Sequence, residues 1–239
     1  MAISATQTVR DLAIEVPGAT RLFETFGIDY CCGGAKTLGE ACAATGIEVD
    51  ELVRALEQTG SRAIAENEAH DWRNERLTAL ISYIVYRHHE FDREELDRIE
   101  PLLEKVRWVY GDQHSELAEI QQVFGSLKRD LLEHMSKEEH MLFPYINHLE
   151  LAAEGAGPKP IAPFGTVQNP VRMMMSEHDN AGELLQRLRQ LSRGFAVPSD
   201  ACISYRSLYQ ALEGLERDVH QHMHLENNLL FPRAIELEG

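Results

Sequence analysis

The chain has 239 residues, 44% hydrophobic and 26% charged, with a formal net charge of −16. This is the composition of a globular protein large enough for one or two domains with a buried core. So acidic a surface repels nucleic-acid phosphates and anionic membranes, and no apolar run approaches the ~20 residues that a membrane-spanning helix needs.

Residues 1–58 read as a small helical module. Thr8 is placed to cap VRDLAIEV, Pro17 to start GATRLFETF and Gly27 to stop it. Thr37 is placed to cap LGEACAAT before Gly46, and Asp50 to cap ELVRALEQ before Gly60. Between these pieces lies IDYCCGGAK, where Gly33 and Gly34 rule out regular helix. The opening run MAISATQTVRDLAIEV has neither a basic start nor a long apolar stretch, so no signal peptide is expected. The cysteines are Cys31, Cys32, Cys42 and Cys202. They suggest no secreted disulfide framework and fit a reducing cytoplasm. Cys42 and Cys202 read as structural. For Cys31 and Cys32 two readings stand, packing in a turn or an exposed thiol pair suited to transient iron binding. Residues 59–72 are polar and read as a linker, expected to separate the module from a second domain over 73–239.

From about Asn74 the apolar period becomes helical and long. Leu77, Ile81, Ile84, Val85, Ile99, Leu102 and Val106 form one stripe that ends near Gly111. A second helix is expected from Ser115 to Ile146, with Leu117, Ile120, Phe124, Leu127 and Leu131 inward. Glu154 to Pro170 is a Gly/Pro-rich crossover. A third helix is expected from Pro170 to about Arg193, and a fourth from Ser199 to Leu230. Short turns within pairs and one long crossover make an all-α four-helix bundle.

The bundle carries an internal repeat. HMSKEEHMLFP, from His134 to Pro144, returns as HMHLENNLLFP, from His222 to Pro232. His134/His222, Met135/Met223, Glu138/Glu226, Leu142/Leu230, Phe143/Phe231 and Pro144/Pro232 all share one offset. Upstream, HEFDREEL from His89 and HDNAGELL from His178 match at nearly the same offset. A histidine and a glutamate four residues apart lie on one helix face, one turn apart. Presented twice from equivalent helices, they form a ligand set for a pair of first-row metal ions. Duplicated helix pairs also build bundles without metal, and a lone histidine on an apolar face is usually a hydrogen-bonded core residue. Four at duplicated spacing, two with a carboxylate one turn on, point instead to a dinuclear centre.

Helical geometry sorts the remaining histidines. His220 and His224 lie about 200° from His222, and His140 about 240° from His134, while His148 is roughly 21 Å along the axis. These four are expected at the surface or behind the site. His70 and His114 fall where no partner is visible. The Ile81–Ile84–Val85 stripe accommodates His88 at least as well as His89, whereas the match between HEFDREEL and HDNAGELL favours His89. Glu139, about 100° around the helix from Glu138, is expected to face away. Met174 and Met175, within the run Met173–Met175, read as core filling.

With these residues in hand, the chain resembles the RIC (repair of iron centres) family of bacterial di-iron proteins, the YtfE/ScdA type. DYCCGG (Asp29–Gly34), DWR (Asp71–Arg73), SEHD-x-AGELL and two HxxxE-x4-LFP units carry the resemblance over nearly the whole length. It implies a hemerythrin-like bundle with two non-haem irons per chain. The ligands would be His89, His134, His178 and His222, with Glu138 and Glu226 as bridges. It implies iron-sulfur clusters damaged by nitric oxide or peroxide as clients, with iron delivery as the chemistry. It also favours Cys31 and Cys32 as a functional thiol pair. Small ligands such as nitric oxide or oxygen would reach the irons, and a homodimer is compatible. The alternatives are an oxygen or nitric oxide carrier or sensor, and a nitric oxide reductase. His88 stands where some relatives have tyrosine.

Overall fold

The computed structural model describes residues 3–16, 18–66 and 72–239. Pro17, His70 and residues 67–71 of the expected linker lie outside them. Four helices form the N-terminal module: α1 (Val9–Glu15), α2 (Ala19–Phe26), α3 (Leu38–Thr45) and α4 (Val49–Glu66). Thr8 Oγ1 accepts the Asp11 amide at 3.0 Å, and Thr37 and Glu40 form a reciprocal capping box. Such caps are each worth about 1 kcal/mol. Gly27 and Gly46 end α2 and α3 in the left-handed region, at φ 66° and 73°, where a side chain would be strained. Two expectations are corrected at α4. The helix starts before Asp50, which lies in its first turn and favours the dipole instead of capping. Gly60 does not stop it, because one interior glycine costs only about 1 kcal/mol and Arg62, Ala63, Ala65 and Glu66 are helix formers. Leu12, Phe23, Tyr30, Leu38, Leu52 and Leu56 are the buried centre of this module.

The bundle is an all-α array in which short π turns interrupt three of the four long helices. The first runs as α5 (Leu77–Tyr83), a π turn (Ile84–His89) and α6 (Glu90–Tyr110). The second runs as α7 (Glu116–Lys137), a π turn (Glu138–Leu142) and α8 (Phe143–Ala153). The third is α9 (Gln168–Leu191). The fourth runs as α10 (Ile203–Leu225), a π turn (Glu226–Leu230) and α11 (Phe231–Glu238). Helix α6 packs on α7 and α10, and α9 packs on α7 and α10, which closes the square. In each π turn an amide reaches back five residues: Glu90 to Val85, Phe143 to Glu138 and Phe231 to Glu226. In the last two, the wider turn immediately precedes Pro144 or Pro232, which has no amide to donate and whose ring would press on an ordinary helix.

Two apolar clusters fill the bundle. One holds Leu96, Ile99, Leu103, Leu117, Phe124, Leu131, Leu185, Leu212 and Val219, and the other Leu80, Ile84, Phe143, Ile146, Val171, Leu230 and Phe231. His89, His134, Glu138, His178, His222 and Glu226 fall between them on every helix. Met174 is buried, but Met175 is 42% exposed, so only one of the two methionines expected in the core fills it. Helix α5 has no side-chain cap of its own. Glu150 of α8 supplies one, accepting from the Leu77 amide at 2.6 Å, the Thr78 amide at 2.9 Å and the Thr78 hydroxyl at 2.5 Å. Among the described residues no helix is long and apolar enough to cross a membrane.

Candidate metal centre

The polar layer converges on one buried point. His89, Glu138, His222 and Glu226 have ligand atoms within 4.8 Å of one another, and so do His134, Glu138, His178 and Glu226. The two groups share both glutamates. Nε2 of His89 lies 3.0 Å from Nε2 of His222, and Nε2 of His178 lies 2.9 Å from Nε2 of His134. Glu226 Oε1 is 3.0 Å from His222 Nε2 and its Oε2 is 3.1 Å from His178 Nε2. Glu138 Oε2 is 3.3 Å from His134 Nε2 and 3.5 Å from His89 Nε2. All six side chains are buried.

The π turn explains which histidine of the adjacent pair arrives. On an unbroken α-helix, Ile84 and its successor four residues on would share the inner face, which favours His88. The turn Ile84–His89 inserts one residue, so His89 takes that place and is fully buried in the centre. His88 is turned aside, also buried, with Nδ1 2.8 Å from Asp218 Oδ2.

A ring of polar groups behind the histidines fixes each imidazole. His89 Nδ1 bonds Glu139 at 2.6 Å, His134 Nδ1 bonds Glu177 at 2.9 Å, His178 Nδ1 bonds Asn227 Oδ1 at 2.8 Å and His222 Nδ1 bonds Asp92 at 3.2 Å. Each partner belongs to the next long helix around the bundle. Acceptors at Nδ1 hold the N–H there and aim the Nε2 lone pair inward, as metal-binding histidines require. Glu139 therefore does not face away, correcting the α-periodic expectation: it reaches the flank of a ring that arrives from the neighbouring helix.

The electrostatics suit positive charge. Burial pushes His89 down, but Glu138, Glu139 and Glu226 outweigh it and bring it up to about 9. Burial opposes and Glu138 and Glu177 overcome it at His134, which rises to about 10. The bond from His89 holds Glu139 down at about 2, and the bond from His134 does the same for Glu177. Burial alone would raise Glu226, yet the facing histidines, His222 foremost, hold it low. Neither oxygen of Glu138, nor Oε2 of Glu226, has a hydrogen-bonding partner among the described residues. Buried carboxylate oxygens without donors are costly. Together with paired Nε2 atoms facing each other at about 3 Å, they form a donor set that cations satisfy.

The DYCCGG loop lies against this centre. Amides of α1 hold it, Val9 to Lys36 O and Arg10 to Gly34 O, each at 2.9 Å. Asp29 folds it by accepting from the amides of Cys31, Cys32 and Gly33 at 3.1, 3.0 and 2.9 Å. A Cβ on Gly33 would come within 2.9 Å of Asp29 Oδ2, and one on Gly34 within 3.0 Å of the Tyr30 carbonyl, so the close approaches require glycine. Asn227 Nδ2 donates to the Cys31 carbonyl at 3.3 Å and Asn228 Nδ2 to the Tyr30 carbonyl at 3.1 Å.

The expected separation of loop and bundle is therefore corrected. Cys31 is buried in the bundle's own core, and only Cys32 is partly exposed. The neighbouring Cys32 sulfur and then burial raise the Cys31 thiol well above its ordinary range, the opposite of an activated thiolate. Sulfur atoms of Cys31 and Cys32 and a carboxylate oxygen of Asp29 do lie within 4.8 Å of one another.

Of the two places expected for it, His224 takes the buried one, edge-on to Tyr30 at 5.4 Å, and burial pushes it down to about 4. His140 and His148 are exposed. His114 does have partners, Asp200 and Glu116. Cys202 is exposed at the start of α10, bonded through its amide to the Tyr110 hydroxyl. Glu139, Glu177 and Asn227 lie directly beside a ligand and off its helix face, and Asp92 serves a histidine of another helix, His222, so helical period reveals none of them. Their one visible signal is position, since Glu139 and Asn227 occupy equivalent places in the repeat.

Fold and site together define a hemerythrin-like helical bundle with a buried cation-binding layer. Residues 80–234 match the hemerythrin HHE cation binding domain and residues 5–59 match ScdA_N, a domain of unknown function. The iron-sulfur cluster repair protein YtfE of Pectobacterium carotovorum is 35% identical over 229 residues, covering 96% of each chain. The proteins of the same name from Escherichia coli O81 and Yersinia pseudotuberculosis are 34% identical over the same coverage. The chain belongs to the YtfE family of hemerythrin-like proteins.

Proposed function

We propose that the chain repairs damaged iron-sulfur clusters in the cytoplasm, using a centre of two irons in the buried layer. The observation that carries the metal assignment is the pair of four-residue groups sharing Glu138 and Glu226, with three buried carboxylate oxygens that have no hydrogen-bonding partner among the described residues. His89 and His222 would hold one iron, His134 and His178 the other, and the two glutamates would bridge them. Bound iron supplies redox-active metal with positions for exchangeable ligands. The chain's own residues orient the imidazoles through their Nδ1 partners and exclude bulk water, since all six are buried. The repair role comes from the relatives named for it. Cys32 is partly exposed beside Cys31 and Asp29 and would be the residue that takes up iron in transit.

The test loads the full chain with iron and adds it to a cluster enzyme inactivated by nitric oxide. The loaded chain restores activity, about two irons are found per chain, and Glu226→Ala neither holds the metal nor repairs. A loaded chain that binds nitric oxide or oxygen reversibly and restores no cluster would be a carrier instead.

A further inference from the structure

The ring behind the four histidines is uneven. Three imidazoles bond a carboxylate, those of Glu139, Glu177 and Asp92, and the fourth, His178, bonds the neutral amide of Asn227. The repeat makes this a substitution and not an accident of packing. Glu139 directly follows Glu138, and Asn227 directly follows Glu226, at equivalent positions. One copy supports its histidine with a charge and the other with a dipole. Asn227 also has its orientation fixed, because Oδ1 accepts from His178 while Nδ2 donates to the Cys31 carbonyl. Carboxylate partners make an imidazole a stronger donor to metal, and losing such a partner typically costs about 10–100-fold in metal affinity. The His89/His222 side has two carboxylates behind it, and the His134/His178 side has one.

We propose that the ion between His134 and His178 is the exchangeable one of the two, with Asn227 as the positioning residue that sets its release and ties it to the Cys31 backbone. This rests on the two-iron reading above. Among the described residues, hydrogen bonds through Asn227 connect the cysteine loop to one of the four imidazoles, that of His178. Displacing the loop removes the acceptor that orients the Asn227 amide, and with it the partner that aims His178.

The experiment loads the full chain anaerobically with Fe(II) and follows release to a colorimetric chelator. The wild type should release iron in two phases of equal amplitude. Asn227→Asp, which supplies the missing carboxylate while Asn228 still holds the Tyr30 carbonyl, should slow the fast phase about tenfold or more and leave the slow phase unchanged. Asn227→Ala should accelerate the fast phase alone. A merely structural role would move both substitutions in the same direction. If Asn227→Asp does not fold, Glu139→Gln decides: it places an amide behind His89 and should accelerate the slow phase towards the fast one. Single-phase release of two irons, or Asn227 variants that alter both phases equally, would overturn the inference. A folded chain that fails to bind two irons would instead overturn the two-iron reading.

Discussion

Glu138 and Glu139 serve the same imidazole from opposite sides. Glu138 Oε2 lies 3.5 Å from His89 Nε2, and Glu139 Oε1 lies 2.6 Å from its Nδ1. Their substitutions should therefore differ in kind. Glu138→Ala removes a carboxylate common to both four-residue groups, so all bound metal should be lost on dialysis. Glu139→Ala leaves all six inward groups in place and should weaken binding about 10–100-fold, an intermediate retention measured as metal per chain against free metal concentration. Wild-type retention in Glu139→Ala would remove the role assigned to the outer ring. His134, Glu138, His222 and Glu226 were legible because the duplication repeats them at one offset, and His178 from its matching run; His89 was not separable from His88 by helical period alone. The outer ring was not legible, because each partner comes from a different helix and no periodicity within one helix encodes it.

At the scale of elements, the π turns decide what the histidine pair does, and they defeat α-helical arithmetic by one residue. The repeated LFP marks the second and third, where proline follows the turn, but the turn at Ile84–His89 has no such mark. Glu150 was similarly hidden. It caps α5 from a helix more than seventy residues away, through three hydrogen bonds to Leu77 and Thr78. Its folded pKa lies below the ordinary value, because the bonds from Thr78 and Leu77 outweigh the burial that opposes them. A depressed carboxylate contributes stability above its unfolded pKa and loses it as the pH falls through the folded one. Glu150→Gln should cost about 2 kcal/mol in denaturant unfolding near neutral pH, and the difference from wild type should shrink below pH 4. A difference that stays constant into acid would show that the carboxylate charge is not what caps α5.

Packing across the whole molecule joins two units that the sequence reads as separate. The Asp29–Gly34 loop seats Cys31 in the bundle core, and Gly34 allows the approach, since a Cβ there would lie 3.3 Å from Asn228 Oδ1 and 3.0 Å from Arg10 Cβ. Gly34→Ala should loosen the loop, so that alkylation of Cys31 accelerates while Cys42, buried in the module's own core, stays protected. Equal rates at Cys31 in wild type and variant would mean that the docked loop does not shield it.

Metal removal acts on the same joint from the other side. The buried layer of four histidines and two glutamates interrupts the two apolar halves of the bundle, and buried ionisable groups are tolerated only when paired or metal-bound. Metal binds the assembled layer and not the unfolded chain to the same degree, so its free energy of binding adds to folding. At free metal a thousandfold above the dissociation constant the addition is about 4 kcal/mol. Chelation should therefore lower the melting temperature measured by calorimetry, and the loss should scale with the logarithm of free metal concentration. Because Asn227 joins His178 to the Cys31 carbonyl, the same chelation should speed Cys31 alkylation at temperatures well below melting. A melting temperature indifferent to metal would mean that the layer is satisfied by its own ion pairs alone. One that falls without any change at Cys31 would mean that the centre and the loop are neighbours without being coupled.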